Sequence, residues 1–232
     1  MHDFALVSWF SQPDTVIWTQ KIIVAIWETI YMTLVSGILA YAIGLPLGII
    51  LVTTARGHIN ENLPLNRSLG AVINALRSLP FIILMIFIIP FTRLLVGTSI
   101  GTTATIVPLT VAAVPFVARL VETSLNEIAW GLIEAALAMG ASKMQVITRV
   151  LIPEAMPSLL RGVAITTINL IGYSAMAGIV GGGGLGTLAY YYGYQRYMFA
   201  ILLITVVLLI LLVQGLQAIG DTVAEKATKN RR

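Results

Sequence analysis

Apolar residues in this chain come in long, nearly unbroken runs rather than at the spacing of a one-faced helix or strand. Five runs approach or exceed the roughly 20 residues that cross a bilayer. They cover about 29–52, 69–91, 94–117, 163–180 and 197–219. The first alone would reach roughly 36 Å at about 1.5 Å per residue. Lipid offers the backbone no hydrogen-bond partners, so each run is expected to be a helix. The strict alternation of a membrane barrel is missing. Runs two and three are expected to join tightly around Thr92-Arg93. Pro46, Pro80, Pro90, Pro108 and Pro115 fall in or beside the runs, where each removes a helical hydrogen bond and favours a kink or a break. Gly44 and Gly48 form a small-xxx-small pair that permits close helix approach.

Lysine and arginine sort onto two sides of these spans. One side receives Arg56, Arg67, Arg77, Arg119, Lys143, Arg149, Arg161, Lys226, Lys229, Arg231 and Arg232. The other receives Lys21, Arg93 and Arg196. The positive-inside rule makes the first group cytoplasmic, which places the amino terminus outside and the carboxyl terminus inside. Arg77 falls within the nominal second span near its cytoplasmic end, where snorkelling to the headgroups accounts for it. Residues 1–21 read as an outer tail, interrupted by Gln12, Pro13, Asp14 and Gln20, with Trp9, Phe10 and Trp18 able to rest at an interface. The start Met1-His2-Asp3 lacks the basic opening of a signal peptide. A membrane domain over 22–221 and a basic cytoplasmic tail over 222–232 complete the expected organisation.

Composition narrows the class. Hydrophobic residues make up 58% and charged residues 10%, against about a quarter charged in soluble domains, and the mean hydropathy is +0.92. The chain is therefore expected to be an all-α integral membrane protein. A formal net charge of +4 reflects cytoplasmic loops rather than a nucleic-acid partner. The cysteine count of 0 excludes disulfides, thiolate metal sites and cysteine nucleophiles.

The polar segment between the third and fourth spans, 119–162, carries the most information. It holds Glu122, Glu127, Glu134 and Glu154, and within it Glu134-Ala135-Ala136 is followed by Gly140 and then by Val150-Leu151-Ile152-Pro153. Leu132 to Met139 is rich in good helix formers. Gly140 suits a left-handed helix end. Ser142 suits the cap of a second helix from Lys143 through Val150, and Pro153 is expected to break the chain before the fourth span. Ala135, Ala136, Gly140 and Ala141 would let a partner surface come close, as when a short helix docks in a groove.

No aspartate, glutamate or histidine lies within the five expected spans; Glu28 stands at the outer edge of the first. Ion-coupled carriers generally need such groups in the bilayer. No nucleophile–base pair marks an intramembrane enzyme, and no Gly-x-x-x-x-Gly-Lys-Ser/Thr loop binds nucleotide. Gly181, Gly183 and Gly186 match Gly-x-Gly-x-x-Gly but end a membrane span, without the strand and later acid that a dinucleotide site requires. A flexible turn or close-packing segment is expected there. The chain is predicted to draw its energy from a protein outside the membrane.

The composite of Glu134-Ala135-Ala136, Gly140 and Pro153 resembles the EAA motif of ABC importer permeases, with Val150 and Ile152 as conservative departures. The runs 76–84, 96–101, 172–178 and 183–186, together with 191–194, are similar to the methionine-import subfamily of these permeases. The resemblance implies a type I ABC importer permease fold with five transmembrane helices per subunit. It also implies a multi-pass location in a bacterial inner membrane and no cofactor of its own. Implied partners are a second copy of the chain, two copies of a cytoplasmic ATPase docking on the EAA loop, and a periplasmic or lipid-anchored substrate-binding protein. The cargo would be methionine, L- or D-; another amino acid, a small anion, or an ion-coupled carrier are the competing readings. In that subfamily the methionine matching Met176 narrows the pathway; in this chain Tyr173 and Ser174 would add polar contacts for an amino acid, and the same three residues could instead serve helix packing.

Overall fold

The structure is a computed structural model that describes residues 15–229. The anchoring expected of Trp9 and Phe10, and the final residues Arg231 and Arg232 of the basic tail, lie outside those residues. Among the described residues every regular element is helical. In order they are α1 (Thr15–Thr53), α2 (Leu63–Ser78), α3 (Phe81–Phe87), α4 (Ile89–Val96), α5 (Thr102–Asn126) and α6 (Trp130–Ala138). Then α7 (Lys143–Val146) runs through a π turn (Ile147–Leu151) into α8 (Ile152–Ala177), which closes with a tight turn at Gly178–Val180. A four-residue α9 (Gly184–Thr187), a π segment (Leu188–Gln195) and α10 (Phe199–Lys229) complete the chain.

Among the described residues, four stretches are long and apolar enough to cross a membrane singly: Ile17–Thr53, Thr102–Asn126, Lys143–Val180 and Phe199–Gly220. The fifth crossing differs from expectation. The run 69–91 is not one helix but parts of α2, α3 and α4. Its main break falls at Leu79-Pro80, where Leu79 is extended at φ −78°, ψ 126°. A residue before proline is pushed out of the helical region by the proline ring, so the interruption is written in the sequence. Thr92 and Arg93, expected to join two spans, lie inside α4. The turn comes later, with Gly97 at φ 80° and Gly101 at φ 97°. Near its start, α1 extends back to Thr15, so Trp18 is helical. Glu28 lies within that helix, about 37 Å along it from Thr53 at about 1.5 Å per residue. The apolar stretch begins at Ile17, ahead of Glu28, rather than at Thr29.

The chain gathers into two compact units. One contains Gly37–Pro80 and Thr110–Thr167. Here the expected glycine pair does its packing: a Cβ on Gly44 would lie 2.8 Å from the Val117 Cβ, and one on Gly48 would lie 2.7 Å from the Ala118 carbonyl oxygen. Leu51, Ile73 and Ala118 form a buried cluster with Leu47 and Leu69 around them. α2 is tied along the Thr53 end of α1, with Asn66 Nδ2 donating to the Leu51 carbonyl at 2.6 Å and to Thr54 Oγ1 at 3.2 Å. The other unit contains Phe81–Leu109 and Ile168–Gly215 with the first part of α1. Its buried Ala25, Leu185 and Leu188 pack with Ile22, Ile26 and Tyr192.

Candidate functional site

The segment around Gly140 is built almost as its residues require. α6 buries Ile133 and Ala136 and leaves Glu134 and Ala135 exposed. Met139 caps the helix, Gly140 N–H donates to the Leu137 carbonyl at 2.9 Å, and Ala141 N–H donates to the Ala136 carbonyl at 3.1 Å. That pair of bonds, with Gly140 left-handed at φ 84°, is a Schellman ending. Ser142 then opens α7 with a reciprocal capping box. Its Oγ accepts from Gln145 N–H at 3.3 Å while its own N–H donates to Gln145 Oε1 at 2.8 Å. The helix does not break at Pro153 as expected. A π turn at Ile147–Leu151 leads straight into α8, and Ile152 N–H donates to the Ile147 carbonyl. One residue too many per turn widens the helix where the proline ring would otherwise strike the Arg149 carbonyl.

Two contacts hold this segment to the link between α1 and α2. His58 and Trp130 meet edge to face with centroids 5.5 Å apart. Lys143 Nζ donates to Asn60 Oδ1 at 3.1 Å. His58 Nδ1 is buried without a partner, and burial holds the histidine below its usual pKa.

Placement separates the predicted coupling residues. Glu134, Ala135 and Gly140 are exposed, Ala141 and Pro153 half-buried, whereas Ala136 is 6% exposed and packs inward. It supports the helix from below and offers no side chain to a partner. Met139 and Met144, absent from the expected coupling set, flank the bend at 83% and 66% exposure. Their signal was simple: apolar residues beside a glycine bend in a polar loop. Flexible thioethers suit a surface that must mate with another protein.

The three predicted pathway residues also separate. Tyr173 is half-buried and stacks on Phe81 with centroids 4.7 Å apart and planes 9° apart. Met176, three positions on and so on the same helix face, is exposed. Ser174 is turned into the core at 2% exposure, and its hydroxyl donates to the Ile171 carbonyl at 2.8 Å.

Beside them the glycine-rich turn is close-packed. A Cβ on Gly178 would fall 2.3 Å from the Gly186 carbonyl carbon, and one on Gly186 would fall 2.4 Å from the Ala175 oxygen. The turn is held by two side chains of α1 for which no such role was expected. Glu28 Oε2 accepts the Gly184 N–H at 2.7 Å and Thr29 Oγ1 accepts the Leu185 N–H at 2.9 Å. These are the first two amides of α9, which have no partner within their own helix. Adjacent side chains of α1 therefore cap a helix 156 residues away.

The described residues thus form a set of apolar helices with a helix–bend–helix insert between α5 and α8. The family model for the binding-protein-dependent transport system inner membrane component matches residues 44–222. The chain belongs to this family. It is 52% identical over 221 residues to a probable D-methionine transport system permease protein MetI of Vibrio cholerae, covering 95% of this chain and 96% of that one. The corresponding protein of Pasteurella multocida is 50% identical over 199 residues, 86% of this chain and 92% of its own. Among solved structures, an inward-facing form of the MetNI methionine ABC transporter matches with a TM-score of 0.90 at 49% identity, over 93% of this chain and 99% of that one. The fold is that of a type I ABC importer permease.

Proposed function

We propose that this chain is the membrane-spanning subunit of an ATP-driven methionine importer in a bacterial inner membrane. The observation that carries the reading is near-complete structural agreement with a methionine ABC transporter at about half sequence identity. Relatives named as D-methionine permeases support the cargo. Two copies of the chain form the pathway, since one subunit offers half of it and an isologous pairing supplies the rest. Two cytoplasmic ATPase subunits dock on the bend at Gly140, against Glu134, Ala135, Met139 and Met144. A binding protein outside delivers the amino acid, and no cofactor belongs to the permease itself.

The distribution of basic residues supports a cytoplasmic placement for the bend, with the amino terminus outside. ATP draws the two ATPase subunits together, the bend moves with them, and the membrane halves rock between outward and inward openings. Reversing such an equilibrium from 1:99 to 99:1 takes about 5.5 kcal/mol of differential binding. Met176 and Tyr173 share the face that narrows the pathway, while Ser174 packs behind it. The test is uptake of labelled methionine into vesicles holding the permease, its ATPase and the binding protein. ATP-dependent accumulation that unlabelled methionine competes away is expected. Accumulation of a different amino acid in preference would overturn the cargo.

A further inference from the structure

The structure places a polar cavity of about 370 Å³ between Arg77 of α2 and the later part of α5. Arg77, Arg119, Glu122, Thr123 and Asn126 line it, with Phe116 and Leu120 at its apolar side. Its cations play different parts. Arg119 is committed: it pairs with Glu122 and donates to Asn74 Oδ1 at 2.9 Å and to the Gly70 carbonyl at 3.3 Å. Arg77 is exposed and makes no ion pair among the described residues. With Glu122 neutralised by Arg119, Arg77 leaves the cavity one positive charge, and Thr123 and Asn126 add neutral donors.

Depth indicates what such a cavity meets. Counted from Thr102, the first residue of α5, Phe116 lies about 21 Å and Asn126 about 36 Å along the axis at about 1.5 Å per residue. The hydrocarbon core is about 30 Å thick, so the cavity straddles its boundary, apolar side inward and polar side at the headgroups. α2 fits the same level, exposing Leu65 and Val72 beside Arg67 and Arg77, as helices lying in an interface do. A guanidinium fork matches two oxygens of one phosphate.

We propose that this cavity holds the headgroup phosphate of an anionic phospholipid, gripped by Arg77 with Thr123 and Asn126, with the acyl chains running over Phe116 and Leu120. The proposal does not depend on which solute is carried. The test uses the purified permease–ATPase complex, with retention of phosphatidylglycerol and phosphatidylcholine followed by native mass spectrometry. Arg77→Gln should weaken phosphatidylglycerol retention about tenfold or more, the loss of a charge-assisted guanidinium–phosphate contact. Arg67→Gln, on the same helix but outside the cavity, should leave retention unchanged, and millimolar inorganic phosphate should not displace the lipid. Equal retention by Arg77→Gln, equal retention of phosphatidylcholine, or displacement by phosphate would each overturn the proposal. Unfolding of the variants, followed by circular dichroism, separates lost binding from lost structure.

Discussion

Replacing Gly48 by alanine tests whether the contact between α1 and α5 is as close as the backbone positions make it. The new Cβ would stand 2.6 Å from the Val121 Cβ and 2.7 Å from the Ala118 carbonyl oxygen. A side chain could swing away, but a carbonyl oxygen moves only if α5 moves. Overpacking of this kind costs about 1–3 kcal/mol. Alanine also favours a helix over glycine by about 1 kcal/mol, which would mask part of that cost. Gly215 in α10 is the reference, because a Cβ there meets nothing within 4 Å. The helix preference cancels between the two variants, so Gly48→Ala should be less stable than Gly215→Ala by about 1–3 kcal/mol. Equilibrium unfolding of the purified permease in mixed micelles, followed by circular dichroism, measures the difference. A gap below about 0.5 kcal/mol, within the usual range for uninvolved substitutions, would refute the close approach.

Glu28→Leu strands the Gly184 amide and should cost about 1–3 kcal/mol, with faster hydrogen exchange at Gly184 and Leu185; Glu28→Gln, which keeps an acceptor, should cost less. Unchanged exchange in the leucine variant would count against the cap. Ser142→Ala removes one arm of the capping box and should cost about 1 kcal/mol, read as lost protection of the Gln145 amide. His58 sits below its usual pKa because it is buried, so the unfolded chain takes up its proton first. Stability should therefore be complete above about 6.5, the ordinary histidine value, and fall as the pH drops from there to the depressed pKa of the folded state. Thermal melts across that window should show the loss, and His58→Phe should flatten it.

Much of this architecture was readable from residue order because lipid leaves the backbone little choice. Long apolar runs must be helical, and Gly140, Ser142 and Pro80 each impose a local geometry that the structure shows. What escaped was tertiary. Pro80 signals its break locally, but the bonds that fasten α2 through Asn66 to the Leu51 carbonyl and through Asn74 to Arg119 are long-range. Pro153 looked like a stop, yet a π turn absorbs it. Ala136 and Ser174 were grouped with their neighbours because spacing alone does not say which face is buried. The cap that Glu28 and Thr29 provide joins positions 156 residues apart, and no local pattern announces it.

The central claim is that a cytosolic ATPase drives this permease through the bend at Gly140. Leucine there would be held in the left-handed region, at a cost of about 1–3 kcal/mol, while its Cβ meets nothing within the subunit. The decisive measurement is the ratio of methionine imported to ATP hydrolysed, in vesicles carrying the complete complex with and without Gly140→Leu. ATP-dependent import by the unaltered complex is expected, with at least a tenfold lower ratio (about 1.4 kcal/mol) in the variant and the protein still inserted. An unchanged ratio, or import driven by a proton or sodium gradient with no nucleotide present, would contradict it.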